Sequence, residues 1–593
     1  MRLVFRGARV SVMHMAIVVF FVCILGAVVK YLASIRRVTE YAPVADTQCG
    51  EVRGSWEQGA AVFRGIPYGR APIGDRRWMP SLSMEKSDGS CWTGTWNASH
   101  FGNVCAQMKT GMTPGSHGQQ MIGNEDCLFI NVITHNIAGS NVRVRAPRHS
   151  AGRRNVLLPV AVWLHGGGLM FGSGGEEAGY APNLLFAKNT GVVAVSFNYR
   201  LNAFGFLSLD VLDKGRGSGN YGFYDQILAL KWIQENIAAF GGDKDRVTVY
   251  GQSSGGTSIV ALLSSPLARG LFHGAVMMSA STTINATLAE ANRTNQVFLS
   301  GSGCFTAKCL RALSTEKILS LLPLYKYPDW AGGDTAFLPT YNVTVGPLAV
   351  VDGTLLTEPS LSTISKGEGN DVRIIVGSTG QEVDIAPPPG ITNYTWHEYD
   401  QNVKEHMLTF PAAAASGHNH STSLFQEVSR LYPHDFASPP SGGTCVTGTP
   451  EYLLTSMISD IRVTCPSILL AQYYAKYFKS QVYSYVAVQC PSATAREYPA
   501  RYSYHTWDSN LLFNLTFPPK PGFKPDAKDW ALVTMMQAWF SKFVHGEVPH
   551  PQWKTVEHGS FSLIYKPEMR DLYHREQCDF FNQHGFIPYQ WIN

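Results

Sequence analysis

The sequence predicts an α/β protein, a large and mostly parallel twisted sheet flanked by helices, with a transmembrane helix at its N-terminus. Three observations predict it. Short, Val-rich apolar runs alternate with longer runs of helical spacing. The 593 residues are 45% hydrophobic, enough to bury a large core. Residues 10–29, "VSVMHMAIVVFFVCILGAVV", are almost uninterruptedly apolar, about the 20 residues a helix needs to cross a bilayer. Only 16% of residues are charged and the net charge is +4, which argues against a nucleic-acid partner.

From the N-terminus, the pattern reads as a short cytosolic tail (1–9), a membrane span (10–32), a juxtamembrane linker (33–44) and one large domain (45–593). The apolar run is longer than the core of a signal peptide, and no small-x-small cleavage site follows it. A signal-anchor is therefore expected; cleavage and secretion is the alternative. Arg2, Arg6 and Arg9 on one side balance Lys30, Arg36 and Arg37 on the other, so flanking charge does not set the orientation. Asn-x-Ser/Thr sequons at Asn97, Asn285, Asn292, Asn342, Asn393, Asn419 and Asn514, with eleven cysteines, favour a lumenal or extracellular body. Cys23 lies inside the apolar run, leaving ten for disulfides. The expected topology is a single-pass type II membrane protein.

Within the domain, "LLPVAVWLHGGG", "GVVAVSFNYR", "DRVTVYG" and "VRIIVGS" read as buried strands. "YDQILALKWIQENIAAF" reads as a helix stopped near Gly241, and a further helix starts near Thr257 in "TSIVALLSS". "APPPG" (386–390) and "SPPSGG" (438–443) read as surface loops too short to divide domains.

Two stretches carry chemistry. In "VTVYGQSSGG" (247–256), Gly251-x-Ser253-x-Gly255 lies between a strand and a helix. Such a turn lifts a serine hydroxyl out of the sheet and beside helix N–H groups that favour negative charge. The plain alternative is a glycine-rich connection that binds a phosphate or nothing. In "LHGGGLMFGSG", three glycines directly after a strand let main-chain N–H groups approach a ligand, as an oxyanion requires.

"FRGIPYGRAPIGDRRWMP", "NEDCLFINV", "LHGGG", "NYRLNAFGFLS", "GNYGFYDQILALKWIQENIAAFGGDKDRVTVYGQSSGG" and "GLFHGAVMMS" follow one another in an order that resembles the type B carboxylesterases. This is the α/β-hydrolase family that also holds the cholinesterases. The resemblance makes residues 45–593 a catalytic domain of α/β-hydrolase fold with Ser253 as nucleophile. It implies Glu382 of "GSTGQEV" as the triad acid, with Val383 where the family has glycine and Asp384 as the competing carboxylate. It implies His505 of "YSYHTWDSNLLFN" as the base, with Asp508 at a position the family gives to an acid. The oxyanion would lie on the N–H groups of Gly167, Gly168 and Ser254. The substrate would be a small carboxylic ester, and neither metal nor cofactor is expected. His273 and His545 read as structural.

By the same similarity, bridges Cys105–Cys127, Cys304–Cys309 and Cys465–Cys578 are expected. Cys49–Cys91 and Cys445–Cys490 are the simplest pairing of the remaining four. The chain departs from the cholinesterases: no Trp, Tyr or Phe stands between Cys105 and Cys127, and Gln252 precedes the serine where those enzymes have glutamate. The alternative readings are a catalytically silent adhesion protein of the neuroligin kind, a cholinesterase, or a juvenile hormone esterase.

Overall fold

The computed structural model describes residues 42–591, apart from 110–119, 136–155, 176–179, 214–218, 283, 322–336, 342–347, 386, 411–423, 437–445, 493–499, 516–523 and 564–566. The expected membrane span, Asn342, Asn419, Cys445 and the loop 438–443 lie outside these residues.

Among the described residues, eleven strands form one sheet. In chain order they are β1 (Ser55–Glu57), β2 (Ala60–Pro67), β3 (Phe129–Thr134), β4 (Leu158–Leu164), β5 (Val193–Phe197), β6 (Gly242–Gln252), β7 (Gly274–Met278), β8 (Arg373–Thr379), β9 (Val482–Ala487), β10 (Ser560–Leu563) and β11 (Glu568–Arg570). Across the sheet the order is β11-β10-β9-β8-β7-β6-β4-β5-β3-β2-β1. Strands β4 to β10 pair in parallel, as expected. Both edges are antiparallel, so the sheet is mixed. The edge pair β1–β2 needs only a tight turn, Gln58-Gly59, both residues at positive φ (46° and 84°). Parallel neighbours need a crossover, and the helical runs between the Val-rich strands supply it.

The alternation of β4 explains the layering. Val160, Val162 and Leu164 face one core, and Ala161 and Trp163 the other. The first core is covered by α1 (Tyr221–Asn236), α2 (Ser254–Ser264) and α3 (Pro450–Tyr477), the second by α4 (Ala527–Val544). Helix α1 stops as expected, through a 3-10 turn and Gly241 in the left-handed region (φ 82°). Helix α2 starts three residues before the expected Thr257. Its first turn is built of Ser254, Gly255 and Gly256, and a Cβ on Gly255 would stand 2.0 Å from Leu164 O. Only glycine lets that turn lie against β4.

Helix α3 is apolar and 28 residues long, enough to cross a membrane by length and composition, but it is buried inside the protein and serves as a core helix. Its middle widens into one π turn, Asp460–Thr464. Pro466, four residues after Arg462, has no N–H to offer the Arg462 carbonyl, and its ring crowds it.

Cys49–Cys91, Cys105–Cys127, Cys304–Cys309 and Cys465–Cys578 are bridged. Cys490 is also disulfide-bonded, its partner outside the described residues. Asn97, Asn285 and Asn393 are exposed, whereas Asn292 and Asn514 are half-buried with their amides bonded to Asp210 and Asn183. His273 accepts from Val247 N at 3.4 Å, and His545 bonds Thr190 O at 3.3 Å, so both are part of the scaffold.

Candidate active site

The strand order reverses at β4: β5 lies on one side of it and β6 on the other. In open α/β sheets the carboxyl ends of strands at such a reversal form a crevice. Three sequence-predicted features sit there or just beyond. His165–Gly168 follow β4, Ser253 follows β6, and Glu382 follows β8.

Ser253 adopts φ 60°, ψ −130°, a conformation that costs a side-chain-bearing residue about 1–3 kcal/mol. Two bonds hold it there: Ser253 N donates to Met278 O at 2.8 Å, and Ser253 O accepts from Thr257 N at 3.0 Å. The triple-glycine loop lies against this turn. A Cβ on Gly166 would meet Ser253 Cβ at 3.1 Å and Gln252 O at 2.7 Å. Gly167 and Gly168 both have positive φ, 113° and 63°. The glycine loop thus meets the serine turn at Gly166, and Ser254 follows the serine directly in the chain. His165, at the root of the loop, is buried and stacked on Tyr199, with ring centroids 4.3 Å apart. Burial lowers its pKa to about 4, so it stays neutral while Nδ1–H donates to Gly166 O at 2.9 Å.

Glu382 and His505 are brought together. Both are buried, and Nδ1–H of His505 donates to Glu382 Oε2 at 2.6 Å. The other oxygen, Oε1, accepts from Ser279 Oγ at 2.6 Å and Thr379 N at 2.7 Å. Both carboxylate oxygens are thus hydrogen-bonded, as a buried charge requires. Its competitor Asp384 is tied down elsewhere, accepting from Arg501 N and Tyr502 N at 2.6 and 2.7 Å.

At the far nitrogen, the partner is not the serine. Among the described residues no hydrogen bond joins Ser253 Oγ to the imidazole; Gln252 Nε2 lies 3.0 Å from His505 Nε2 instead. Tyr180 OH donates to Gln252 Oε1, which fixes the amide with its NH2 toward the imidazole. An amide NH2 only donates, so Nε2 must accept and the proton sits on Nδ1. This is the tautomer in which Nε2 can take a proton from a hydroxyl.

Sequence reasoning did not identify Ser279, Tyr180 or Trp591 as part of the site, nor the Gln252 contact. The Trp591 ring lies edge-to-face with His505, centroids 4.9 Å apart at 82°. Ser279 closes "VMMS" directly after β7, a strand end like that of Ser253 and the only signal for it.

Asp508 sits one helical turn beyond His505, fully buried, accepting from Tyr485 OH at 2.6 Å and Ser509 N at 2.8 Å. Burial raises its pKa to about 6; the Tyr485 bond opposes the rise and nearby Glu382 adds to it. A carboxyl whose pKa is higher in the fold than in the unfolded chain (3.8) destabilises the fold as pH rises from about 4 to about 6, and above. Asp508→Asn removes that term, and Tyr485 OH can turn to accept from the new amide. The variant is expected to exceed wild type by of order 2 kcal/mol at pH 8 and by nothing at pH 4. Denaturant unfolding at the two pH values checks it, and a pH-independent difference would refute it.

Residues 41–581 match the model of the carboxylesterase family. The chain is 32% identical over 398 residues to the para-nitrobenzyl esterase of Bacillus subtilis, covering 67% of this chain and 71% of that one. It is 29% identical over 461 residues to liver carboxylesterase 1 of Oryctolagus cuniculus, 73% of each chain. It is 35% identical over 349 residues to the phenmedipham hydrolase of Pseudarthrobacter oxydans, 57% of this chain; the match spans only 62% of that protein's length. The solved carboxylesterase of Geobacillus stearothermophilus superposes with a TM-score of 0.67 at 26% identity, over 92% of this chain and 99% of that one. A p-nitrobenzyl esterase structure gives 0.68 over the same shares at 24% identity, a likeness of fold. The fold is the α/β-hydrolase fold, and the chain belongs to the carboxylesterase family, whose chemistry is the hydrolysis of carboxylic esters.

Proposed function

We propose that this chain is a serine carboxylic-ester hydrolase acting on small esters, with Ser253 as nucleophile, His505 as base and Glu382 as the acid that orients it. One observation carries the reading. A buried glutamate, following β8, fixes the Nδ1–H tautomer of a histidine whose other nitrogen points at the residue next to a strained serine.

The mechanism follows from these atoms. As an ester enters, Ser253 Oγ replaces the Gln252 amide at His505 Nε2, gives up its proton there and attacks the carbonyl carbon. Glu382 stabilises the imidazolium without taking the proton. The oxyanion would rest on the N–H groups of Gly167, Gly168 and Ser254, and the imidazolium would protonate the leaving alcohol. Water then cleaves the acyl-enzyme with the same histidine as base. The adhesion alternative requires no such arrangement and gains no support from it.

Choline esters are expected to be poor substrates, because residues between Cys105 and Cys127 include no Trp, Tyr or Phe to hold a quaternary ammonium. A panel of aryl and choline esters tests the reading, together with labelling by a fluorophosphonate. Aryl esters should be hydrolysed at least about 100-fold more efficiently than choline esters, a gap the loss of cation–π contacts can supply. Choline turnover rivalling the best aryl ester, or a folded protein that neither labels nor hydrolyses, would overturn it. We further propose the signal-anchor at 10–32, a type II topology with the domain outside, and glycosylation of the exposed Asn97, Asn285 and Asn393.

A further inference from the structure

The base is held at a third place, by residues beyond 581, where the family match ends. Residues 587–591 form a strap: one 3-10 turn, Ile587–Tyr589, followed by Gln590 and Trp591. The sequence explains where it docks. Pro466 has no N–H to offer the Arg462 carbonyl, the helix widens into a π turn there, and Trp591 N donates to that carbonyl at 2.9 Å. The Arg462 side chain returns the bond, Nη1 donating to Tyr589 O at 2.7 Å. On the other side, Thr282 N and Oγ1 both donate to Gln590 Oε1, at 2.7 and 2.8 Å, and Ser281 Oγ donates to Trp591 O. Ser281 N in turn donates to Thr257 Oγ1, on the helix that starts at the serine turn.

These anchors place the buried Trp591 ring against the His505 ring. The bond to Glu382 fixes one imidazole atom but leaves the ring free to swing about it. The Gln252 contact must be given up when the hydroxyl arrives. Beside the Glu382 bond, the Trp591 ring is a contact that need not be given up during the cycle, and it blocks the swing on its side.

We propose that Trp591 is a positioning residue for His505, held in place by the strap 587–591. The proposal rests on His505 acting as the base, as set out under Proposed function. A base displaced by an ångström loses one to two orders of magnitude in rate, so the effect belongs in kcat, whereas a residue that merely supports the fold changes the fraction of active protein.

The test uses the full chain, a short aryl ester, and active sites counted with a fluorophosphonate. Trp591→Ala is expected to lower kcat per labelled site about tenfold, with KM within about twofold, and Trp591→Phe to recover most of the loss. Gln590→Leu, which removes the acceptor of both Thr282 bonds and keeps the Trp591 ring, is expected to lower kcat about threefold, and carries the test if Trp591→Ala does not fold. Unchanged kcat per site in whichever of these two folds, or Trp591→Phe no better than Trp591→Ala, overturns the inference. Ser253→Ala measured beside them separates the two claims. If it is inactive while the Trp591 variants are normal, only the strap loses its role; if it keeps activity, the serine reading falls first.

Discussion

Purified Ser253→Ala is expected to hydrolyse aryl esters at least about 10,000-fold more slowly than wild type, and to lose fluorophosphonate labelling entirely. The size follows from the job of the hydroxyl. Without it no acyl-enzyme forms, and the base has only water to activate, at a position it was not shaped for. What survives is binding and the glycine cradle, which leave a residual acceleration over water but no turnover of the usual kind. The fold should not register the change. Ser253 Oγ joins no other side chain among the described residues, the two bonds that shape the turn are main-chain, and alanine keeps the Cβ. Melting temperatures should therefore agree within about 2 °C, the range of substitutions that break no contact. Activity within tenfold of wild type in such a well-folded variant would take the serine out of the chemistry.

The serine was legible because its information is local. Strand, turn and helix are contiguous in sequence, and the glycines at 251 and 255 declare the close approach to β4 before any coordinates. Four of the seven parallel strands, β4, β5, β6 and β8, were legible for the same reason, since each is a short apolar run with turn signals beside it. Glu382 and His505 are 123 residues apart; no local pattern joins them, and their pairing was expected only from resemblance to a family. The rest of the cradle depends on contacts that neither route exposes. Ser279 meets Glu382 across 103 residues. Thr282 meets Gln590 across 308. The start of α2 was placed three residues late because glycine discourages helix in an isolated segment, whereas here packing against Leu164 demands it. The Gln252 contact is of another kind. The residue stood beside the serine in plain view, and which way its amide points is decided by Tyr180, 72 residues earlier.

The second large effect is expected at the acid. Glu382→Gln is nearly isosteric, yet it should lower kcat by about 1,000- to 10,000-fold. The existing bonds dictate why. Oε1 accepts from two fixed donors, Ser279 Oγ and Thr379 N, so the amide oxygen of a glutamine must take that place. Its NH2 group then faces His505 Nδ1, where the carboxylate Oε2 now accepts at 2.6 Å. Two donors cannot share that contact, so Nδ1 must lose its proton and accept, and the proton moves to Nε2. The imidazole then presents N–H, not a lone pair, to the serine hydroxyl. It also meets the Gln252 amide donor by donor, which pushes the ring out of its resting place. Labelling by a fluorophosphonate should slow in step with ester hydrolysis, because both need the same lone pair. KM should change little, since Glu382 is fully buried and has no route to a substrate. Asp384→Asn is the control. Its carboxylate accepts the main-chain N–H groups of Arg501 and Tyr502, bonds that hold a loop and not the imidazole, so the substitution should cost stability and leave kcat per labelled site intact. If Asp384→Asn fell as far in kcat as Glu382→Gln, or if Glu382→Gln turned over normally, the acid of this site would have to be sought elsewhere.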